Sequence, residues 1–483
     1  MIAGLALLPC AVAAFSVLVL RRSVLTAATF ALITALALWA LGIFSPPQPG
    51  QLGHALTDSL VLEMLVGFVI FPGLLFVEET NRGDGLKALI HAIESLRLAP
   101  PRAVILITVG IGVMVESLTG YGVSMFVTVP LLLQIVSRKR AIALALIGMS
   151  LMSWGALSIS AALGAELANL PLPVLADAIL RTSGPVAVVL PLFCLPFVQG
   201  STLKDVAYAG LAGVALVIGI TFASRSIGIE VAGVVGGLAV IAVSVVFSSS
   251  RRSLGQALTA PAILPYGLLI VAVVLQKLIV PYLNAAGIAP IVETDRVSFN
   301  VLASPGIALL LVTLMSIALR KTAHADTGAS LFRHVTMRSW PALTSILLFL
   351  MAARLLVEIG SIQALAGLLS QLGLYPAMAL VTALGGIGSY VTGSGVASNA
   401  LFMPSAAATG EGLGAITLFA SLQHSAAAHT GVASLPIIAI LLSALPNREA
   451  ADEQTAMRMG LGLAAIWLLF VVASGIVQIA SAL

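Results

Sequence analysis

The feature that most constrains this chain is the recurrence of apolar runs about as long as a bilayer is thick. Such runs lie near 2–20, 24–44, 60–79, 141–163, 185–199, 206–223, 229–247, 262–283, 301–319, 341–358, 413–445 and 459–480. Roughly 20 apolar residues in a helix cross the hydrocarbon layer. Charged residues make up only 9% of the sequence and hydrophobic ones 60%. A soluble chain carries about 25% charged residues, so this one cannot cover a water-facing surface. The expectation is an all-α polytopic membrane protein with about 12 transmembrane helices, and a soluble enzyme is excluded. The first run has no basic residue ahead of it and Arg21 and Arg22 behind it, the reverse of a cleaved signal peptide. It is expected to stay as a helix whose C-terminal end faces the cytoplasm. The net charge of +4 is accounted for by Lys and Arg in loops and suggests no nucleic-acid partner. Cys10 and Cys194 sit inside apolar runs, so no disulfide framework or thiolate metal site is expected, and no cofactor.

Two further apolar stretches, 102–136 and 376–410, are too short for two crossings and carry glycines near their middles. Each is read as a re-entrant hairpin that enters and leaves on one side. With that reading, 18 of the 23 Lys and Arg fall in cytoplasmic loops, and both termini are expected outside the cell (inner) membrane. Thr119-Gly120-Tyr121-Gly122-Val123 in the first hairpin is matched by Thr392-Gly393-Ser394-Gly395-Val396 in the second. Each is preceded by a span (60–79; 341–358) and an amphipathic stretch (84–97; 361–371). Each is followed by a long, glycine-broken span and one more span. Because the hairpins start from opposite sides, the repeat is inverted. The first unit covers 1–199 (hairpin 102–136, broken helix 141–172), and the second 262–483 (hairpin 376–410, broken helix 413–445). A helix pair over 200–261 links them. Inverted repeats with broken elements meeting at mid-membrane characterise secondary transporters.

A helix break in hydrocarbon leaves N–H and C=O groups unpaired unless they line a cavity or bind something. A hairpin tip also places a helix N-terminus, with free donors and partial positive charge, at bilayer depth, which suits an anion. The candidate substrate-binding residues are therefore Thr119, Gly120, Tyr121, Gly122, Ser153, Thr392, Gly393, Ser394, Gly395, Ser398, Asn399 and Gln423. Glu116, His424 and His429 are the candidate proton carriers, since ionisable groups at depth are functional candidates by default. Simpler roles stand beside these. Glycines also permit close helix packing, buried Ser and Thr bond their own backbone, and the histidines can hold frayed backbone. Arg354 and Glu358 have i,i+4 spacing and are expected to pair on one helix face. Lys277 is expected to snorkel to the interface.

Val115-Glu116-Ser117-Leu118-Thr119-Gly120-Tyr121-Gly122 resembles the Glu-Gly-x-x-Gly-Phe-Gly signature of the L-lactate permease family. Thr392-Gly393-Ser394-Gly395-Val396-Ala397-Ser398-Asn399 resembles that family's Thr-Gly-Ser-Asp-Thr-Ser-Ser-Asn segment. The order of elements agrees over roughly 60–480. The resemblance implies proton symport of lactate or glycolate, in a fold of inverted repeats. By analogy with the wider group of ion transporters, it also implies a homodimer whose transport unit moves as an elevator. There are departures. Gly395 stands where the family has Asp, and Ser117 where it has Gly. Met152-Ser153 and Gln423-His424 each stand where it has Asn-Thr. These changes fall on binding positions, so another small organic acid is as well supported as lactate. Other readings are an exporter or uniporter of a dicarboxylate or sulfonate, and a channel. HExxH, GxSxG and Walker A motifs are absent from the sequence, which leaves an intramembrane enzyme without support.

Overall fold

The computed structural model describes residues 2–82, 96–120, 122–248, 264–319 and 328–482. Tyr121, residues 84–95 of the expected amphipathic stretch and residues 249–261 of the expected link lie outside that set. The described chain is helical nearly throughout. It opens with a 3-10 turn and α1 (Leu8–Leu18), followed by α2 (Val24–Ala40), whose first turn is capped by the Ser23 hydroxyl accepting from the Thr26 N–H at 3.2 Å. Next come α3 (Gln51–Arg82) and α4 (Pro100–Thr119), which contains one π-helical turn at Leu106–Ile111. Then follow α5 (Val123–Leu132), α6 (Arg138–Gly148), α7 (Ile159–Ala168), α8 (Leu172–Cys194), α9 (Leu203–Ser226), α10 (Ala232–Val246) and α11 (Leu264–Ala285). A small antiparallel hairpin of β1 (Ile291–Glu293) and β2 (Ser298–Asn300) pairs Ile291 with Asn300. The chain ends with α12 (Pro305–Leu319), α13 (Gly328–Glu358), α14 (Ser361–Ser370), α15 (Leu374–Thr392), α16 (Gly395–Gly412), α17 (Ile416–Thr430), α18 (Leu435–Ala444) and α19 (Ala450–Ala482).

Among the described residues, ten helices are long and apolar enough to cross a membrane. The count is 11 if the bent pair Ile416–Ala433 and Leu435–Ala444, which meet at 45°, forms one crossing. The chain is thus an all-α polytopic membrane protein. Three of the expected runs form shorter apolar helices, Ala3–Leu18, Val24–Ala40 and Pro305–Ala318. Local chemistry sets some of those limits: Arg21 takes a left-handed conformation (φ +52°) just beyond α1, and Gly42 does the same (φ +59°) just beyond α2.

Two groups of helices meet along a seam of neutral polar contacts. α13 packs on α2 and α3, and α16 packs on α7, while α15, α16 and α17 pack together and α19 lies against α6 and α17. Across the seam, Asn399 Nδ2 donates to the Ser160 carbonyl at 2.6 Å, and the Thr182 and Ser183 hydroxyls meet Ser425 at 2.6 and 2.9 Å. Trp467 Nε1 donates to the Ser150 hydroxyl at 2.9 Å. One end of the seam is tied by charge. Arg138 forks onto Asp452 (2.9 and 2.6 Å) and donates to the Pro446 and Asn447 carbonyls.

Two charge pairings differ from the sequence expectation. Arg354 pairs with Asp58 of α3 instead of Glu358, and both partners are buried. Glu358 instead forms an ion pair with Arg296 of the β-hairpin. Packing of α13 on α3 brings a carboxylate on the neighbouring helix closer to Arg354 than one a turn away on its own. Thr294, in the β1–β2 turn, donates its hydroxyl to Asp58 at 2.6 Å, so this network also straps the hairpin to α3 and α13. Lys277 reaches Glu230 at 2.5 Å rather than standing free at the interface. Removing one partner from a buried pair leaves an uncompensated charge, which costs about 3–5 kcal/mol. Arg354→Met should therefore lower the thermal midpoint of the purified protein steeply, and Asp58→Leu/Arg354→Met should recover most of the loss.

Candidate functional site

The first glycine break follows α4. Gly120 adopts φ +68° and ψ −169° and Gly122 φ +73°, conformations that side-chain-bearing residues rarely hold. The chain turns there and restarts as α5, whose first N–H groups have no partner within the helix. Glu116 supplies one. Its carboxyl group accepts from the Gly122 N–H (3.1 Å), the Ser124 N–H (3.4 Å) and the Ser124 hydroxyl (2.8 Å). Placing a carboxyl group on a helix N-terminus is favourable both as a hydrogen bond and against the helix dipole. Glu116 is 3% exposed, so its own last helical turn and the next helix share one buried carboxyl group.

The second break, between α15 and α16, is built differently. Gly393 takes the left-handed turn (φ +73°) and Ser394 becomes the N-cap, its hydroxyl accepting from the Ala397 N–H at 3.4 Å. Thr392 bonds back to the Gly388 carbonyl at 2.8 Å. No carboxylate caps α16. The Gly395 and Val396 N–H groups have no partner among the described residues.

The spans after each break are themselves interrupted. Between α6 and α7 the chain makes two short 3-10 turns, Met149–Trp154 and Ala156–Ser158. Ala156, Leu157 and Ser158 all have positive φ (47°, 52° and 57°). Three successive left-handed residues with side chains cost about 1–2 kcal/mol each, and such strain gathers where chains clamp ligands or switch. Packing holds them: a side chain on Gly120 would lie 2.5 Å from the Ala156 Cβ, and the Ser158 hydroxyl donates to the Ile229 carbonyl at 2.8 Å. Between α17 and α18 the break is Gly431–Ser434, followed by Pro436.

All four interruptions line one cavity of about 370 Å³. Its wall includes Glu116 and Gly120 from the first break, and Thr392, Gly393, Ser394 and Gly395 from the second. Met152, Gly155, Ala156 and Ser160 come from one broken span, and Pro436, Ile437 and Ile440 from the other. The opposite wall is α2 (Val24, Leu25, preceded by Ser23) and α13 (Pro341, Ala342, Ser345, Ile346).

Other candidate residues lie elsewhere. Ser153 bonds Ser183 at 3.0 Å, and the Ser398 hydroxyl donates to the Gly385 carbonyl at 2.8 Å. Gln423 Nε2 reaches the Ser398 carbonyl at 3.3 Å, and Asn399 holds His424 Nδ1 at 3.1 Å. His429 Nδ1 donates to the Ser150 carbonyl at 2.5 Å, and its Nε2 meets the Ser183 hydroxyl at 2.9 Å. These residues form the seam behind the cavity and are absent from its lining, as are Thr119 and Gly122. The cavity in turn takes in residues the sequence did not single out as binding positions: Ser160, Ser345 and the α2 start. Ser160 resembles its serine neighbours in sequence, and only the long-range packing of α16 on α7 distinguishes it. Among the described residues no three His, Cys, Asp or Glu side chains gather as a metal site would need.

Residues 286–482 match the family model for L-lactate permease. The match begins just before β1 and covers the second break, α17, α18 and α19, so the L-lactate permease resemblance of Thr392–Asn399 falls within it. No curated protein matches the chain. The family match covers the second part of the chain, and the ten long apolar helices among the described residues make the chain a multi-pass membrane protein. Gly120 and Gly395 provide a contrast for test. Gly120→Ala combines a forbidden φ with a clash against Ala156, and should sharply reduce folded yield and thermal midpoint. In Gly395→Ala the new methyl group would meet Ser160 Cβ at an ordinary 3.6 Å, and the midpoint should change little.

Proposed function

We propose that the chain is a secondary active transporter of a small monocarboxylate of the lactate or glycolate type, driven by proton symport, with Glu116 carrying the proton. The observation that supports this most strongly is the make-up of the cavity wall. Both glycine breaks and both broken spans contribute to it, and Glu116 is the one ionisable side chain among its described lining residues. A substrate carboxylate entering this mostly apolar cavity beside an ionised Glu116 meets a like charge with little to screen it. A proton on Glu116 removes that repulsion and frees the α5 donors that the carboxylate otherwise occupies. Loading then takes up one proton with one anion, and release reverses both. His424 and His429 sit in the seam, which favours Glu116 as the carrier. The match to L-lactate permease over 286–482 supports the substrate class.

In the same reading the chain comprises two inverted-topology repeats, 1–199 and 262–483, joined by 200–261. Each contains a re-entrant hairpin, and both termini lie outside the inner membrane. The succession of a long helix, two helices about a glycine break, a broken span and a further long helix in each half supports this arrangement. A homodimer follows from the family analogy alone.

The test is uptake into proteoliposomes of purified protein. A pH gradient, acid outside, should drive accumulation of a short hydroxy acid severalfold above equilibrium. Glu116→Gln keeps an acceptor for the Gly122 and Ser124 donors, so it should fold and retain counterflow while losing gradient-driven accumulation. Unchanged accumulation in this variant would remove Glu116 from the role. A steady state indifferent to the gradient would make the protein a uniporter.

A further inference from the structure

The wall of the cavity is mostly apolar. Ser160 is 6% exposed, its carbonyl accepts from Asn399, and its hydroxyl has no hydrogen-bond partner among the described residues. It lines the cavity and stands 3.8 Å from the position a Cβ on Gly395 would take. It therefore faces the start of α16, where the Gly395 and Val396 N–H groups are also unpartnered. A hydroxyl that opens onto the cavity and two backbone donors converge on the place that Gly395 leaves empty of a side chain. Such a set accepts one carboxylate.

The rest of the wall is mostly aliphatic, formed by Val24, Leu25, Ile346, Pro436, Ile437 and Ile440 with Ser23 and Ser345 as its polar members, and no Lys, Arg or His is among the described lining residues. A second carboxylate or a sulfonate there would be desolvated without a cationic partner. The volume argues in the same direction. About 370 Å³ has room for roughly a dozen water-sized groups, about twice what a three-carbon hydroxy acid fills.

We infer that the cavity is built for a monocarboxylic acid with an apolar tail longer than that of lactate, its carboxylate on Ser160 and the α16 N-terminus and its tail along α2, α13 and α18. This rests on the reading that the cavity carries a monocarboxylate, and within that class it moves the preferred ligand from lactate and glycolate to longer acids. Apolar burial contributes about fourfold in affinity per methylene, so affinity should climb along a homologous series until the cavity is full and then fall.

The experiment uses the purified full-length protein. Thermal shift and competition for uptake in proteoliposomes are measured with straight-chain acids from three to ten carbons, together with their dicarboxylate counterparts. The expected result is apparent affinity rising severalfold per carbon to about six to eight carbons, with the dicarboxylates at least tenfold weaker at equal length. Ser160→Ala should weaken all the acids about tenfold or more, as loss of a hydrogen bond to a charged group does. Ala342→Phe, which fills the apolar end, should reverse the preference, so that the eight-carbon acid loses at least tenfold relative to the three-carbon one. A flat chain-length profile accompanied by uptake of the short acids would overturn the tail assignment and leave the transport reading standing. A rising profile in thermal shift with no uptake of any acid would support the site and overturn the transport reading. Thermal shifts equal for mono- and dicarboxylates, or a co-purifying lipid acyl chain that the acids fail to displace, would overturn the assignment itself.

Discussion

A helix that stops in apolar surroundings exposes donors and acceptors that those surroundings cannot satisfy, and four helix breaks meet at one cavity in this protein. The surrounding architecture answers that constraint. At the first break the missing partner is internal: Glu116 reaches across the turn to the beginning of α5. In the broken span that follows, backbone strain at Ala156–Ser158 is held by close packing on Gly120 and by a hydrogen bond from Ser158 to Ile229. At the second break the cap is only a serine, and two backbone donors remain unpaired. The breaks are thus unequal, one filled by the protein's own carboxylate and one left unfilled, and they face the same space.

The seam behind that space is made of neutral groups. Ser150, Ser153, Thr182, Ser183, Ser425 and His429 satisfy one another without a formal charge pair, whereas the charged contact of Arg138 with Asp452 closes one end of the seam and that of Arg354 with Asp58 stands apart from it. This network of short side chains holds the broken spans against their neighbours behind the cavity. A fixed charge beside the site would also bias which ions could enter. Keeping the ionic locks distant lets Glu116 dominate the local field.

Much of this was legible in the residues. Runs of apolar side chains gave the helices, and the Thr-Gly-x-Gly-Val pair located both breaks within a residue or two, because glycine is required where φ is positive. Glu116 was identifiable as an acid at depth beside a break. Sequence carries depth and residue type, but not rotation about a helix axis. Ser398 and Asn399 lie one turn past Ser394, yet they point into the seam, because α7 and α17 occupy that side of α16. Gln423, His424 and His429 follow them for the same reason. The wall from α2 and α13 had no signal at all, since Val24, Leu25 and Ile346 are ordinary apolar residues until a distant helix packs opposite them. Arg354 shows the same limit: i,i+4 spacing offered Glu358, and tertiary packing supplied Asp58.

The lack of a basic side chain among the described lining residues of the cavity bears on how affinity and release are balanced. An arginine clamp gives strong, charge-assisted bonds to a carboxylate, but it holds the anion equally well whether or not a proton accompanies it. In a cavity whose sole charge is a titratable acid, binding of an anion depends on the protonation of that acid. The donors at α16 and Ser160 then orient the carboxylate without neutralising it. The remaining affinity must come from contacts indifferent to charge, which the aliphatic walls of α2, α13 and α18 supply. In the proposed mechanism, coupling and selectivity therefore reside in separate parts of one cavity: the proton acts at Glu116, and the length of the ligand is read at the opposite wall.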